Sequence, residues 1–157
     1  MKKDVTIEPL MTVQHEPLPP GSDEWRQVRA LRYALFYEMH GLPESIMDDG
    51  LDEGAHHVYI KHCEQVVAYG RATPLPDGRF LVTAMVVAPS FHQQGLGRQI
   101  MNAIIDIAWQ QNAKGLTLKS RTTAAGFYAK FGFLATGGEF PSAITGIPHV
   151  NMKLQLS

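Results

Sequence analysis

Phe80 to Gln111 has the sequence FLVTAMVVAPSFHQQGLGRQIMNAIIDIAWQQ, which predicts a buried strand, a tight turn and an amphipathic helix. Apolar residues dominate the start of this stretch, and the strand ends before Pro89, which cannot donate a ladder hydrogen bond. From Leu96 onwards, apolar residues recur at helical spacing, at Ile100, Ala103, Ile104 and Ile107. Gly95 and Gly97 therefore lie in the first turn of the predicted helix.

The turn with Gly95 and Gly97 is suited to binding a phosphate. N–H groups in the first turn of a helix lack helical partners, the helix dipole is positive there, and glycine has no Cβ to hinder approach. A nucleotide triphosphatase loop needs Lys-Ser/Thr after its last glycine, whereas Arg98 and Gln99 follow Gly97. A dinucleotide fingerprint needs a third glycine at position 100, which is Ile100. The turn is expected to bind a pyrophosphate mainly through main-chain N–H groups.

Two motifs, in this order, resemble those of the GCN5-related N-acetyltransferase (GNAT) family. The first is a hydrophobic strand and loop followed by Gln/Arg-x-x-Gly-x-Gly/Ala at the start of a long helix, which in the family binds the pyrophosphate of acetyl-coenzyme A. Gly95 and Gly97 match its glycines, and His92 stands at its first position. The second is Ala-x-x-Phe-Tyr-x-x-x-Gly-Phe, matched within TTAAGFYAKFGF from Thr122 to Phe133.

Three further segments resemble the ElaA-like branch of that family, and the resemblance runs from about residue 22 to the end of the chain. They are LRYALFYE, DDGLDEGAH and GIPHVNM, at 31–38, 48–56 and 146–152. The resemblance implies an α/β (α+β) fold: a mixed, mostly antiparallel sheet with a splayed parallel central strand pair, flanked by helices. It also implies direct transfer of an acetyl group from acetyl-coenzyme A to a primary amine of a small molecule or peptide, with no metal.

The resemblance places the coenzyme site on the central strand, the glycine turn and two later residues. The expected contacts are Met85, Val86, Val87, His92, Gln93, Gln94, Gly95, Leu96, Gly97, Arg98, Arg121 and Tyr128. Main-chain N–H groups near Val86 or Val87 could polarise the thioester carbonyl. Tyr128 stands at the position of the tyrosine that protonates the leaving thiolate. Arg121 stands where many members have an asparagine that contacts the coenzyme.

A general base is harder to assign. Many family members carry a carboxylate early on the central strand, but Thr83 and Ala84 stand there in this chain. Glu38 and His149 are retained as candidates for the base or for the acceptor site. Further candidates are Asp52, Glu53 and His56. A surface or structural role is the alternative for each of them.

Other conspicuous residues have simpler interpretations. His56 and His62 of the run HHVYIKHC would lie about 20 Å apart in a strand, too far for one metal ion, so no metal site is expected. Cys63 is expected to be a small buried side chain. The acidic run 48–53 is expected to be a solvated loop that could attract a cationic amine. Core positions are expected for Trp109, Phe131 and Phe133.

The rest of the chain fits a single domain. Ser22 is a good N-cap for a helix whose apolar residues extend to Met39 and whose stop is Gly41. Further strands are expected at 57–62, 65–73, 115–120, 134–137 and 148–156, with a short helix at 122–131. The expected organisation is an N-terminal segment, 1–21, with a first strand between residues 5 and 14 and a linker, followed by the acetyltransferase domain, 22–157.

Composition limits the classes of molecule that this protein is expected to bind. The 157 residues carry a formal net charge of −1, so the chain lacks the excess of positive charge that is typical of binding to nucleic acid or an anionic membrane. No apolar run is long enough to span a bilayer, and one cysteine cannot form an internal disulfide, which fits the cytoplasm. The expected partners are acetyl-coenzyme A and an amine acceptor, and a homodimer stays open.

Two functional classes remain open. The first is an N-acyltransferase, which the presence of Tyr128 favours. The second is a non-catalytic acyl-coenzyme A-binding sensor or interaction module, which the missing carboxylate at Thr83 and Ala84 favours. An acyl-homoserine lactone synthase is a more distant alternative.

Overall fold

The computed structural model describes residues 11–156. Its strands are β1 (Val13–His15), β2 (His56–His62), β3 (Gln65–Pro74), β4 (Arg79–Val87), β5 (Gly115–Arg121), β6 (Leu134–Ala135), β7 (Phe140–Pro141) and β8 (Pro148–Gln155). Its helices are α1 (Asp23–Phe36), α2 (Leu96–Gln110) and α3 (Ala125–Ala129). Residues 5–10, part of the expected first strand, lie outside the described residues.

The described strands form one mixed sheet in the order β1-β2-β3-β4-β5-β8-β6, with β7 also paired to β8. Every neighbouring pair is antiparallel except β4 and β5. Helices pack on both faces of this sheet. The predicted fold class, with one parallel central pair, is confirmed.

The parallel pair is short, and its separation opens the sheet. β4 and β5 are in register only from Arg79 to Leu81 and from Gly115 to Thr117, and beyond these residues the two strands part. The half of β4 that has separated from β5 contains a bulge. Ala84 has a left-handed φ of 57°, and the register between β4 and β3 shifts at this point. A bulge bends its strand and leaves a residue unpaired. Beyond Leu81 the edge of β4 that faces β5 is unpaired and borders a gap.

The two long helices cover opposite faces, which we call the α2 side and the α1 side. On the α2 side, Ile100 and Ile104 pack with Leu116 and Leu118 in the larger core. A Cβ on Gly70 would lie 2.6 Å from the Ile100 side chain, so glycine is what allows α2 to approach β3 closely. On the α1 side, a smaller core contains Val28, Leu18, Tyr59, Tyr69 and Val86. Because side chains alternate along a strand, neighbouring residues of β5 serve different sides.

The first helix begins as predicted and ends earlier than predicted. Ser22 Oγ accepts a hydrogen bond from the Trp25 N–H, which confirms the N-cap. The α-helix ends at Phe36, and a 3₁₀ turn follows before Gly41, whose φ of 66° is left-handed. A 3₁₀ turn winds more tightly than an α-helix, so Met39 leaves the buried stripe and is 70% exposed.

Three more expectations need correction. Cys63 is exposed, because it forms with Glu64 the two-residue hairpin turn between β2 and β3, and both have a positive φ. Trp109 lies on the outer face of α2 and is 55% exposed, whereas Phe133 is core as predicted. The helix expected at 122–131 is a 3₁₀ turn followed by the short α3. The strand β7 was not predicted.

Candidate active site

The glycine turn opens α2 without a side-chain cap. Gly95 is the N-cap with a left-handed φ of 78°, and Gln93, at φ 63°, is also left-handed. Nothing lies within 4 Å of where a Cβ on Gly95 would be. The first turn of this 15-residue helix therefore has no side-chain cap and has open space beside Gly95, as an anion-binding terminus requires.

The residues around the turn differ in what they can offer a ligand. The side chain of Leu96 is 2% exposed, so only its main chain can reach a ligand. A Cβ on Gly97 would touch the Phe127 ring at an ordinary 3.4 Å, so this side of Gly97 faces the core. Exposed side chains belong to His92, Gln93, Gln94 and Arg98.

His92 ties the turn to the central strand. Its Nε2–H donates to the main-chain oxygen of Val87 at 2.8 Å. A neutral imidazole in this tautomer keeps Nδ1 as an acceptor. His92 therefore orders the loop between β4 and α2, and its remaining ring nitrogen is available to a ligand.

The gap between β4 and β5 is a cleft of about 470 Å³. The two strands supply its walls, and α1, α3 and the loop before β8 supply its rim. Its lining residues include Leu81 to Met85, Leu118 to Arg121, Phe36, Tyr37, Asp49, Tyr128, Ser142, Ile144, Thr145 and His149. Four predicted site residues, Met85, Arg121, Tyr128 and His149, line this cleft.

Tyr128 packs from the α2 side, next to Phe127 and Phe133. Burial raises the pKa of its hydroxyl to about 12, because a phenolate would lose its solvation there. Within residues 11–156 the hydroxyl has no hydrogen-bond partner. Tyr128 is therefore protonated at neutral pH and able to donate to a group that enters the cleft.

His149 and Arg121 face each other across the register of β8 and β5. His149 Nδ1–H donates to the Ile147 oxygen at 2.8 Å, which leaves Nε2 as the nitrogen that can accept a proton. The Arg121 guanidinium lies 5.4 Å from the centre of the Phe36 ring, on the α1 side. Glu38, in contrast, is exposed outside the cleft lining, so the structure does not bring it to Tyr128.

A buried arginine lies next to the cleft and contacts two of its lining residues, Asp49 and Thr83. Arg71 is 2% exposed, and its guanidinium donates to Asp49 and to Asp52, each at 2.6 Å, and to Thr83 Oγ1 at 2.9 Å. Arg32, also 2% exposed, lies 3.5 Å from Asp52. The expectation of a solvated acidic loop is therefore wrong for these two aspartates, which neutralise buried arginines.

Sequence reasoning missed this network, although Arg71 carries a signal. It stands inside the run VVAYGRAT, which has no other charged residue, and a buried charge needs a partner. The acidic run 48–53 is the nearest concentration of opposite charge before it in the chain. The pattern could have indicated an ion pair rather than an amine-attracting loop.

The network makes Asp49 a poor base. Burial raises the pKa of its carboxyl, but the hydrogen bonds from Arg71 and the Leu51 N–H, together with the Arg71 charge, outweigh burial and lower it. Asp49 therefore stays ionised at neutral pH. It lines the cleft as a fixed anion that Arg71 already neutralises.

The lowered pKa of Asp49 predicts a loss of stability in acid. A carboxyl whose folded pKa lies below its ordinary value of 3.8 stabilises the fold above that pH, and the contribution is lost as pH falls through the folded pKa. We expect wild-type urea midpoints to fall between pH 4 and pH 2 more steeply than those of Asp49→Asn, and the variant to be less stable at pH 6. Parallel pH dependences would contradict this.

Three other base candidates lie elsewhere. Asp52, Glu53 and His56 line a separate hollow of about 880 Å³ between β1, α1 and the loop before β2. This hollow is larger than the cleft but contains neither the strand opening nor Tyr128. Burial and the neighbouring His15 also lower the pKa of His56. We therefore place the site in the smaller cleft.

Two negative observations concern the described part of the chain. Along residues 11–156, no helix has the length and apolar character needed to cross a membrane. Across these residues, no group of three or more His, Cys, Asp or Glu side chains is arranged to hold a metal ion.

Comparison with known proteins agrees with this geometry. Residues 26–156 match the family model described as an acetyltransferase (GNAT) domain. A Bacillus subtilis protein named as an acetyltransferase is 30% identical over 132 residues, which are 80% of this chain and 85% of the relative.

Solved structures share the fold. Escherichia coli ElaA is 19% identical, with a TM-score of 0.78 over 92% of this chain and 99% of ElaA. An aminoglycoside 6′-N-acetyltransferase complexed with coenzyme A is 14% identical, with a TM-score of 0.74 over 92% of this chain and 97% of that one. With the family match over residues 26–156, the chain belongs to the GNAT acetyltransferases.

Proposed function

We propose that this acetyltransferase moves the acetyl group of acetyl-coenzyme A directly to the primary amine of a small molecule or peptide. One arrangement carries the proposal: the uncapped start of α2 follows the carboxyl end of β4, and Tyr128, protonated and without a hydrogen-bond partner among the described residues, lines the gap between β4 and β5. The first can hold a pyrophosphate, and the second can protonate a leaving thiolate. The coenzyme A complex of a structural neighbour supports the choice of donor.

The donor would lie along β4. We assign its pyrophosphate to the N–H groups of residues 93–98 and its acyl arm to the β4 edge that faces β5. Ala88 N donates to the Val67 oxygen in β3 at 2.8 Å, and N–H groups alternate between the two edges of a strand. The N–H of Val87 is therefore directed away from β3, towards the arm, and Val86 faces the other way.

Acetyl transfer exchanges one bond at the thioester carbon. It also requires a proton for the sulfur, a base for the amine proton and stabilisation of charge on the carbonyl oxygen. The amine nitrogen attacks the thioester carbonyl, the new C–N bond forms, and the C–S bond breaks. Tyr128 donates its proton to the leaving sulfur, and a main-chain N–H of β4 stabilises the carbonyl oxygen as its negative charge develops. We assign the removal of the amine proton to Nε2 of His149, the ring nitrogen that its hydrogen bond leaves free.

Gly95 provides a matched test of the pyrophosphate position. Asn and Asp have nearly the same shape, and both tolerate a left-handed φ better than other residues. We expect Gly95→Asp to bind acetyl-coenzyme A about tenfold or more weakly than Gly95→Asn, because only Asp adds a negative charge at the helix terminus. Calorimetric titration measures both affinities. Equal affinities of the two variants would place the pyrophosphate elsewhere.

A binding module without catalysis remains the second candidate. The observation in its favour is that β4 offers no carboxylate to the cleft, and that the Thr83 hydroxyl already accepts a hydrogen bond from Arg71. A thiol-release assay over a panel of amines separates the two candidates. Tight coenzyme binding without release of thiol for any amine would favour the module.

A further inference from the structure

The α1 side of the cleft has a cationic wall. Leu116, Leu118 and Ser120 are buried on the α2 side, so the alternation along β5 puts Lys119 and Arg121 on the α1 side. The guanidinium of Arg121 over Phe36 agrees with this assignment. A third cation of the same face, Lys153 of β8, lies opposite Thr117 and outside the cleft lining.

The positive charge of this wall is not neutralised. Among the described residues, no carboxylate lies within 4 Å of Lys119, Arg121 or Lys153. Of the described residues that line the cleft, Asp49 alone is acidic, and Arg71 pairs with both of its oxygens. The cleft therefore offers an excess of positive charge to whatever enters from this side.

This charge disfavours one class of acceptor and favours another. An acceptor with several ammonium groups would meet like charges at Lys119 and Arg121. An amine that also carries a carboxylate would find a partner in Arg121, whose planar guanidinium can bind a carboxylate through two hydrogen bonds. Stacking on Phe36 holds that guanidinium while leaving its N–H edge free.

Apolar and aromatic side chains also line the cleft. Phe36 ends α1 at the cleft, Tyr37 follows it, and Ile144, which also lines the cleft, is 49% exposed. Ile144 sits in a tight turn, because Ser142 Oγ accepts hydrogen bonds from the N–H groups of Ile144 and Thr145. An apolar side chain of the acceptor would gain contact area between these residues.

We propose that the acceptor is an apolar α-amino acid, or an amine that presents the same groups. Its carboxylate binds Arg121 with support from Lys119, its side chain lies against Phe36, Tyr37 and Ile144, and its amine faces the thioester. This inference rests on the proposed acetyl transfer and assigns Arg121 to the acceptor rather than to coenzyme A.

The test compares acceptors that differ in one group. Phenylalanine, phenethylamine and phenylalanine amide share an aromatic body, and the amide separates the effect of the carboxylate from that of amine basicity. We expect kcat/KM for phenylalanine to exceed that for each of the other two about tenfold or more. Spermidine and kanamycin, which carry several ammonium groups, should be the poorest acceptors. Thiol release from acetyl-coenzyme A measures all five.

Variants on the cationic wall identify the residue responsible. Arg121→Gln should raise KM for phenylalanine about tenfold or more while leaving phenethylamine and acetyl-coenzyme A unaffected. Arg121→Lys should recover part of the loss. Lys153→Gln removes the same charge from the same face outside the cleft and serves as the control. If Arg121→Gln raises KM for acetyl-coenzyme A and not for phenylalanine, then Arg121 binds the donor and the inference is overturned.

Failure of the inference and failure of the function give different results. Acetylation of phenethylamine or spermidine in preference to phenylalanine would overturn the amino acid assignment and leave acetyl transfer intact. Thiol release with none of the five amines would count against both. Calorimetric titration of phenylalanine and phenethylamine onto the protein with coenzyme A bound adds a comparison without turnover, and equal affinities there would contradict a role for the carboxylate.

Discussion

Tyr128→Phe should lower kcat by about 10²-fold or more while acetyl-coenzyme A binds as tightly as to the wild type. The change removes the hydroxyl and keeps the ring, which packs against Phe127 and Phe133. Stability should change little, because within the described residues the hydroxyl has no hydrogen-bond partner to lose. Steady-state kinetics, calorimetric titration and urea unfolding measure the three quantities.

The pH dependence of the rate adds a second test of Tyr128. Burial raises the pKa of its hydroxyl to about 12, so the proton to be donated is present at all lower pH values. Between pH 6 and 10 the wild-type rate should show no alkaline loss from ionisation of Tyr128. Any titration in this range belongs to the amine or the base.

Tyr33→Phe is the matched control for Tyr128→Phe. The Tyr33 hydroxyl donates to the Leu42 oxygen at 2.7 Å and is not part of the cleft lining. Its loss should cost about 1 kcal/mol of stability and leave kcat unchanged. If Tyr128→Phe behaves like this control, with full turnover, then Tyr128 is structural and solvent must protonate the thiolate.

Local pattern was enough to predict the scaffold of the site. The start of α2 at Leu96 follows from apolar spacing, and the N-cap at Ser22 follows from a short polar side chain before an apolar stripe. Both depend on residues within a few positions of each other. Hairpins are equally local, and so β2 and β3 were found nearly to the residue.

What was missed depends on distant contacts. Asp49 meets Arg71 across 22 positions of sequence, and no local rule selects that partner among the acidic residues of the run. The bulge at Ala84 depends on the register between β4 and β3. Alanine is not a residue type typical of a left-handed φ, so the sequence gives no signal for the bulge. The alternation along β5 shows which residues share a face with Arg121. The sequence does not show which helix covers that face.

Arg71→Met should cost about 3 to 5 kcal/mol of stability, because it removes one partner from a buried ion pair and leaves carboxylates behind. Methionine fills much of the same volume without a charge. Asp49 would keep only the hydrogen bond from the Leu51 N–H, and Asp52 would keep Arg32 at 3.5 Å. This loss is a large part of the stability of an ordinary domain, and a urea titration followed by circular dichroism would measure it.

The surrounding ion pairs supply the controls for Arg71→Met. Arg29 contacts Asp48 at 3.0 Å, but the Asp48 side chain is 62% exposed, so Arg29→Met should cost less than about 1 kcal/mol. The double variant Arg71→Met with Asp49→Asn removes one stranded charge and should recover part of the loss. Equal costs for Arg71→Met and Arg29→Met would mean that water reaches the Arg71 site. In that case the cleft would lack the fixed ion pair that neutralises Asp49, and the Asp49 carboxylate would be free to attract a cationic amine.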